Sequence, residues 1–450
     1  MPQRQPNVSL AALLAENHWT AGQLARAVNA MATAHGMRLM YDRTTIAHWL
    51  TGTRPRPPVP ELVAAAFSRH GGRSITAADT GLIDRVDVAA AVERSSPNIT
   101  HRLIDLCRAD IDPTRHVELI RAIYTTDDRD ASAWDSRIGP AHEDSPSGSG
   151  RFGATPTDAQ TLREMADVFA ELAERNGGIL VRCALAAFLA EGADRFLNLP
   201  ASEAVRREML TGTAQLTHLL ASMTADSDHP GLAQRYFGTA LELAREAGDR
   251  RMFAITLRTM SVQALRLGHR PRALGLAEAA LAVPDLTHDP SIQSFLLGQR
   301  ALASAAVHRP AAARADLALA EDRHEHADGL PGVFRAYSTA GFQYQRALAF
   351  DAMDEGGNAR ASLRAAVRER DPRRRRALAL TQARLAASLA RVGEVEAACS
   401  HWHLYLDAYP HLRSVEIQRA LARLLRTMRR MPRVPEVLAL QERAESLAHG

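Results

Sequence analysis

Residues 264–281 read ALRLGHRPRALGLAEAAL. The first three residues end an apolar helical pattern, and the residues LGHRP at 267–271 then break it. Gly268 can adopt the left-handed conformation that ends many helices. The next helix carries Ala273, Ala277 and Ala280 on one face, and alanine at a crossing lets two helix backbones approach closely. The stretch therefore predicts two helices packed against each other across a short turn.

The same arrangement recurs along the chain. Each copy has an apolar helix, a short breaker and a second helix with small or apolar residues at positions 0, +4 and +7. The second helices carry Ala233/Phe237/Ala240, Ala273/Ala277/Ala280, Ala311/Ala315/Ala318, Ala359/Leu363/Ala366 and Ala398/Trp402/Tyr405, which begin 40, 38, 48 and 39 residues apart. Such repeated helix pairs predict a tetratricopeptide-like α-solenoid whose helices are longer than those of the standard repeat of about 34 residues. An irregular all-helical domain is the alternative.

The composition supports an all-α protein. Of the 450 residues, 46% are hydrophobic and 24% are charged, as in ordinary globular proteins, and only 5% are aromatic. No apolar run approaches the roughly 18 residues of a membrane span, and the N-terminus lacks a signal-peptide pattern. The three cysteines are far apart, which excludes a disulfide framework and a zinc motif. The sequence predicts a cytoplasmic protein that does not enter a membrane.

Charge and periodicity divide the chain into three parts. Residues 1–80 have eight arginines and four acids, a net charge of +4 that equals the net charge of the whole chain. This basic head predicts contact with a polyanion. A helical connector and a flexible acidic linker are predicted over 81–157, and the helical-repeat body over 158–450.

The linker prediction rests on residues 126–157, where hydrophobic periodicity stops and a Ser/Gly/Pro run follows acidic residues. A head joined in this way is expected to be mechanically loose. Alternatively, this stretch packs in a groove of the solenoid with Trp134 as an anchor.

The strongest local motif is YDRTTIAHWLTGTRP at 41–55. Asp42 can cap a helix that Gly52 ends, and Thr20-x-x-Gln23 has capping-box spacing at the start of the preceding helix. Residues 9–70 resemble the phage-repressor (Xre/Cro/CI) helix-turn-helix family, in which the second helix of the motif lies in the major groove.

That resemblance implies a DNA-binding role for particular residues. Arg43, Thr44 and His48 fall at base-facing positions, while Ile46 and Trp49 face the small core. The residues that match or suit phosphate contacts are Thr20, Gln23, Thr45, Arg54 and Arg56. The family usually joins its two motif helices by a few residues, whereas Ala30 to Met40 is an insertion that would lengthen the first of them or form a wing.

The order of the parts resembles a family of actinobacterial regulators with this head and a tetratricopeptide body. The phrases that carry the match are YDRTT at 41–45, PRPPVP at 55–60 and GLAQRYF at 231–237. The resemblance implies control of transcription, in development or secondary metabolism.

Other chemistries find little support in the sequence. No nucleotide-binding, serine-hydrolase or zinc-protease motif is present, so we expect neither an enzyme nor a cofactor. The pairs His324/His326 and His401/His403 point to different sides of a helix, so we expect no metal site. Residues 413–433 have a net charge of +6. This basic segment could contact DNA or a partner, but we favour a solvated helix face or pairing with acidic helices of the same chain.

The inner helices of a solenoid project a row of side chains onto its concave face. The candidate ligand-binding residues there are Arg258, Gln299, Arg300, Tyr337, Gln343, Tyr344 and Arg346. This set fits a peptide or small acidic ligand, and it fits an internal hydrogen-bonded seam equally well.

Together these features predict a sequence-specific DNA-binding transcriptional regulator. Its head would bind a double-stranded operator, and its body would form a homodimer and sense a peptide or small-molecule effector. The alternative is a tetratricopeptide-like interaction scaffold whose head does not bind DNA.

Overall fold

The computed structural model describes residues 6–34, 37–56, 58–71, 75, 77, 79–83, 98–120, 122–126, 134, 153–197, 199–329, 334 and 337–449. Within these ranges the chain forms α-helices, turns and short 3-10 segments such as Tyr409–His411, and it contains no β-strand. The predicted all-α class is confirmed.

The head is a small bundle of four helices. They are α1 Val8–Glu16, α2 Ala21–Ala34, α3 Arg43–Leu50 and α4 Val59–Gly71. Side chains from all four helices meet in one core, which includes Leu10, Leu24, Ile46, Trp49 and Phe67. This core is separate from the cores of the repeats.

Two connector helices follow, α5 Ile99–Ile111 and α6 Pro113–Ile120. Helix α5 belongs structurally to the body, because Ile99, Leu103 and Cys107 are buried in the large core of the first repeats.

The body consists of fourteen further helices in the described residues. They are α7 Pro156–Asn176, α8 Gly178–Leu197, α9 Glu203–Asp226, α10 Pro230–Glu246, α11 Arg250–Arg266, α12 Arg270–Leu281, α13 Pro290–Ala306, α14 Pro310–Glu325, α15 Thr339–Ala352, α16 Gly356–Glu369, α17 Arg375–Arg391, α18 Val395–Ala408, α19 Val415–Met428 and α20 Pro435–His449. From α9 onward consecutive helices pack as pairs, and each pair stacks on the next. This arrangement is the predicted α-solenoid.

The structure corrects the register of one repeat. The triplet predicted to face inward in α14, Ala311/Ala315/Ala318, is exposed, whereas Ala313, Leu317 and Ala320 are buried. An alanine-rich helix offers several equally small faces, and here the larger Leu317 determines which one packs inward. With this correction the buried triplets begin at 233, 273, 313, 359 and 398.

The turns follow the same period. Each lies five residues before a buried triplet and contains one residue with positive φ: Asp228, Gly268, His308, Asp354 and Gly393. Glycine accepts this conformation without steric cost, which explains its use at two of the five turns.

The last repeats of the body contact its first helices. The Asn176 carbonyl accepts a hydrogen bond from the Arg413 amide at 2.7 Å. Asp226 accepts from the Arg376 guanidinium at 2.9 Å and from the Ser414 hydroxyl at 2.8 Å. Burial alone would raise the pKa of Asp226, but the charge and hydrogen bonds of Arg376 and the Ser414 hydroxyl lower it overall. An ionised carboxylate at the end of α9 therefore joins this helix to α17 and to the start of α19.

A short segment, residues 122–126, joins the head to the body. Ile123 is part of the head core, and the Thr126 hydroxyl lies 3.0 Å from that of Ser68 in α4. On the body side, the amide group of Gln234 exchanges two hydrogen bonds of 2.8 Å with the backbone of Thr125. Contacts with both parts fix the head against the body at this point.

Most of the predicted flexible linker, 127–133 and 135–152, lies outside the described residues. Two described residues of this stretch contact the rest of the protein. Thr126 is buried, and the Trp134 ring meets the Phe253 ring edge-on with 5.2 Å between ring centroids. Trp134 itself therefore contacts the solenoid.

Gly231, at the start of α10, leaves room for the backbone of the joining segment. A Cβ at Gly231 would lie 2.1 Å from the carbonyl oxygen of Ala122. Gly231→Ala should therefore lower the free energy of unfolding by about 1–3 kcal/mol and speed hydrogen exchange at Thr125. Gly275→Ala is the matched control, because nothing lies within 4 Å of that position in α12. A Gly231→Ala protein as stable as its parent would contradict the close packing.

Candidate nucleic-acid interface

Helix α3 is fixed at its start by Asp42. The Asp42 carboxylate accepts hydrogen bonds from the Thr45 amide at 2.8 Å and from the Thr45 hydroxyl at 2.9 Å. These bonds lower the pKa of Asp42, so the cap stays ionised. The predicted capping role is confirmed. Because the Thr45 hydroxyl belongs to the cap, it is already engaged within the protein.

The two faces of α3 differ sharply. Ile46 and Trp49 are buried in the head core, and Tyr41 contacts Trp49 edge-on with 5.2 Å between ring centroids. The opposite face contains Arg43, Thr44, Ala47 and His48, all exposed. The three predicted base-facing side chains therefore lie together on one solvent-facing surface.

The start of α2 forms the predicted capping box. The Gln23 side-chain oxygen accepts from the Thr20 amide at 2.7 Å and from the Thr20 hydroxyl at 2.9 Å. Both residues are exposed. The backbone amide of Gln23 completes the box by donating to the Thr20 hydroxyl at 3.3 Å, whereas its side-chain nitrogen Nε2 takes no part in it and can donate to an anion.

The insertion lengthens α2, which continues to Ala34. The chain then returns to α3, and the Asn29 side chain holds it there. Its oxygen accepts from the Tyr41 amide at 3.0 Å, and its nitrogen donates to the Tyr41 carbonyl at 2.8 Å. This pairing fixes the position of α3 relative to α2 despite the long connection, although nothing in the sequence alone indicated it.

Basic side chains continue beyond α3. Gly52 ends the helix with a φ of 98°, and Arg54 and Arg56 follow as exposed residues. Together with Arg43 they give the exposed side of the head a positive charge.

The candidate effector residues mostly contact one another or their neighbours. Arg300 binds Asp316 through two hydrogen bonds of 2.8 and 2.6 Å, and Arg346 binds Glu321 at 2.6 Å. The Gln299 side chain donates to Ser261 at 3.0 Å and accepts from Gln345 at 3.2 Å. These contacts support an internal hydrogen-bonded seam.

The aromatic members of that set also pack internally. The Tyr337 ring lies 4.4 Å from the Phe295 ring, and the Tyr344 ring lies near the guanidinium groups of Arg370 and Arg384. Gln343 is half-buried.

Arg258 lies beside the buried His218, and of these two residues the sequence indicated only Arg258. The Arg258 guanidinium lies 4.0 Å from the centre of the Phe295 ring, and burial lowers its pKa to about 10. His218 is buried beside it. Burial and the charge of Arg258 lower the pKa of His218 to about 3. His218 was missed because a single histidine in an apolar helix has no distinguishing pattern.

His218 makes the body sensitive to acid. Its pKa is depressed in the folded state, so the unfolded chain takes up the proton first as the pH falls below about 6.5. Lowering the pH from 7 to 5 should therefore cost about 2 kcal/mol of stability at this residue. His218→Gln should remove that part of the pH dependence in urea unfolding, whereas the exposed His288→Gln should not. An unchanged pH dependence in His218→Gln would exclude a buried neutral histidine.

The histidine pairs and the basic C-terminal segment have internal partners. His324 stacks on Phe342 at 4.6 Å, and the ring nitrogen of His401 lies 2.5 Å from the side-chain oxygen of Gln382. No group of three metal-binding side chains occurs among the described residues. Arg419 and Arg423 of the basic segment are paired with the carboxylates of Asp228 and Glu416. None of the helices described is both long and apolar enough to cross a membrane.

Comparison with known proteins gives a family match for the head and a distant structural similarity for the whole chain. Residues 10–83 match the family model described as the SP15 N-terminal domain. No curated protein matches the chain. The APC/C hetero-tetramer Cut9–Hcn1 is a solved structure similar to it, with 14% identity and a TM-score of 0.35, covering 96% of this chain and 69% of that one.

Proposed function

We propose that this protein is a sequence-specific DNA-binding transcriptional regulator. The observation that carries the proposal is the exposed face of α3. Arg43, Thr44 and His48 project together from a short helix whose other face is locked into the head core by Ile46 and Trp49. A rigid helix with polar side chains at its N-terminal end is suited to reading base edges in the major groove.

Each exposed residue has a defined role in this proposal. The Arg43 guanidinium pairs with the two acceptors of a guanine, while Thr44 and His48 make less specific base contacts. Gln23 at the start of α2 and the arginines at 54 and 56 bind phosphates and set the position of the head on the duplex.

The position of α3 relative to the body supports its proposed role as the helix that reads DNA. The wall of the head–body cavity is formed by α2 and α4, including Ala27, Met31 and Arg69. None of the cavity-lining residues comes from α3, and Arg43, Thr44 and His48 are exposed with the body in place, so in the described structure the body leaves the reading face open. The face of α3 is therefore accessible to DNA in this arrangement of head and body.

A single head of this size makes few base contacts, so we also propose that the protein acts as a homodimer. The helical-repeat body would supply the two-fold interface. Light scattering on the full chain at tens of micromolar should give twice the mass of 49.0 kDa. A monomer mass at every concentration would overturn the dimer.

Genome-wide immunoprecipitation with sequencing tests the function itself. The parent protein should enrich discrete chromosomal sites that share a motif. Arg43→Ala should lose most of these sites, whereas Arg426→Ala, an exposed arginine of α19, should keep them. Recovery of partner proteins without site-specific DNA would instead establish the interaction scaffold.

A further inference from the structure

A cavity of about 740 Å³ lies between the head and the body. Its head wall comes from Trp19 and from α2 and α4, and its body wall from the turn before α12 and from α17 and α19. Ligand sites are typically about 300–1,000 Å³ and often lie between domains. The size and position of the cavity are therefore those of a ligand site.

Positive charge dominates its wall. Five arginines line the cavity, against two carboxylates, those of Asp228 and Glu416. Arg419 binds Asp228 at 2.6 Å, and Arg266 binds Glu416 at 2.5 Å. Glu416 also lies 3.5 Å from Arg423, and Asp351, which is outside the wall, lies 3.7 Å from Arg384. The wall residues by themselves carry three more positive than negative charges, and among the described residues Arg69, which comes from the head, has no ion pair, which favours an anion.

A buried histidine also points to a ligand. His269 lines the cavity and is only 4% exposed, yet its ring Nδ1 has no hydrogen-bond partner in the described structure. Burial and the nearby charge of Arg69 lower its pKa to about 4, so the ring is neutral at pH 7. Tyr124 stacks on the ring at 5.2 Å and fixes its orientation. An unpaired buried polar atom is costly unless something binds it.

The remaining wall is apolar. Trp19 is held in place by stacking on His70 at 4.4 Å, and Met31 and Leu267 lie in the same cavity. Large, rigid aromatic surfaces bind the apolar part of a ligand well.

We propose that this cavity binds a small organic anion with an apolar body. Its acidic group would lie among Arg69, Arg384 and Arg423, and its apolar part against Trp19. A ligand held by both walls stabilises one arrangement of the head over others, because it binds that arrangement more tightly. Use of the site to regulate DNA binding rests on the proposed function, but occupancy of the site does not.

The experiment uses the full chain without DNA, so its outcome is independent of DNA binding. The probes are anilinonaphthalene sulfonate, an aromatic anion whose fluorescence rises in apolar surroundings, and the neutral N-phenylnaphthylamine. The sulfonate should bind saturably at one site per chain. The exposed pair Arg69→Gln/Arg423→Gln should weaken its binding at least tenfold while leaving the neutral probe unaffected. Arg426→Gln, one turn along α19 and outside the cavity wall, is the charge-matched control.

Two results would overturn the proposal. One is equal sulfonate affinity in the parent and in Arg69→Gln/Arg423→Gln. The other is a loss of affinity that is just as large in Arg426→Gln, which would indicate attraction by overall charge.

Discussion

Replacing Asp110 with alanine should lower the free energy of unfolding of the body by about 3–5 kcal/mol. Asp110 ends the connector helix α5 and is only 5% exposed. Its carboxylate accepts hydrogen bonds from the Arg182 guanidinium at 2.6 Å and from the Tyr236 hydroxyl at 2.7 Å. One acidic residue thus joins α5 to α8 and α10.

The size of this effect comes from what the substitution leaves behind. Arg182 is buried, and without Asp110 its charge would keep only the hydrogen bond to the Thr224 hydroxyl at 2.9 Å. An unpaired buried charge costs more than the pair contributes. Urea unfolding followed by circular dichroism measures the change.

Asp105→Ala is the control, because Asp105 is an exposed acid on the same helix. It should change the free energy of unfolding by less than about 0.5 kcal/mol. If Asp110→Ala were as mild as Asp105→Ala, the connector would not be integrated into the body as described.

The second large effect concerns DNA. Arg43→Ala should weaken binding to a specific operator by about 1–3 kcal/mol, roughly fivefold to more than a hundredfold, and relax specificity at one or two base pairs. Arg54→Ala should weaken all sequences alike and reduce the salt dependence, as expected for a phosphate contact. Fluorescence anisotropy with labelled duplexes at several salt concentrations separates the two effects.

Both residues are exposed, so neither substitution is expected to disturb the fold. Equal affinities and equal salt slopes for the parent and both variants would show that α3 does not read DNA in the proposed way.

The fold was predictable because repeated local patterns specify it. The triplets beginning at Ala233 and Ala273 are buried as the spacing predicts, and the caps at Asp42 and Thr20 form as their motifs indicate. The register of α14 was not predictable from alanine spacing alone, since several faces of that helix are equally small.

Contacts between distant parts of the chain could not be predicted from the sequence either. The phrase GLAQRYF at 231–237 supplies Ala233 and Phe237 of a repeat triplet and part of a family resemblance, and neither indicates its long-range contacts. In the structure Gly231 makes room for the joining segment, Gln234 binds Thr125, and Tyr236 binds Asp110. Such pairings depend on which helices become neighbours, and no local pattern shows this. For the same reason the cavity between Trp19 and His269 could not be predicted from the sequence.

Repeated in vitro selection from a random DNA duplex library tests the central claim most directly. The full-length protein should enrich one short motif, arranged as two symmetric half-sites if the protein is a dimer. Arg43→Ala should fail to enrich that motif or should relax it at one or two positions, while Arg426→Ala should enrich it like the parent. A parent protein that enriches no sequence above the starting library, or an Arg43→Ala protein that selects the same motif equally well, would contradict the account.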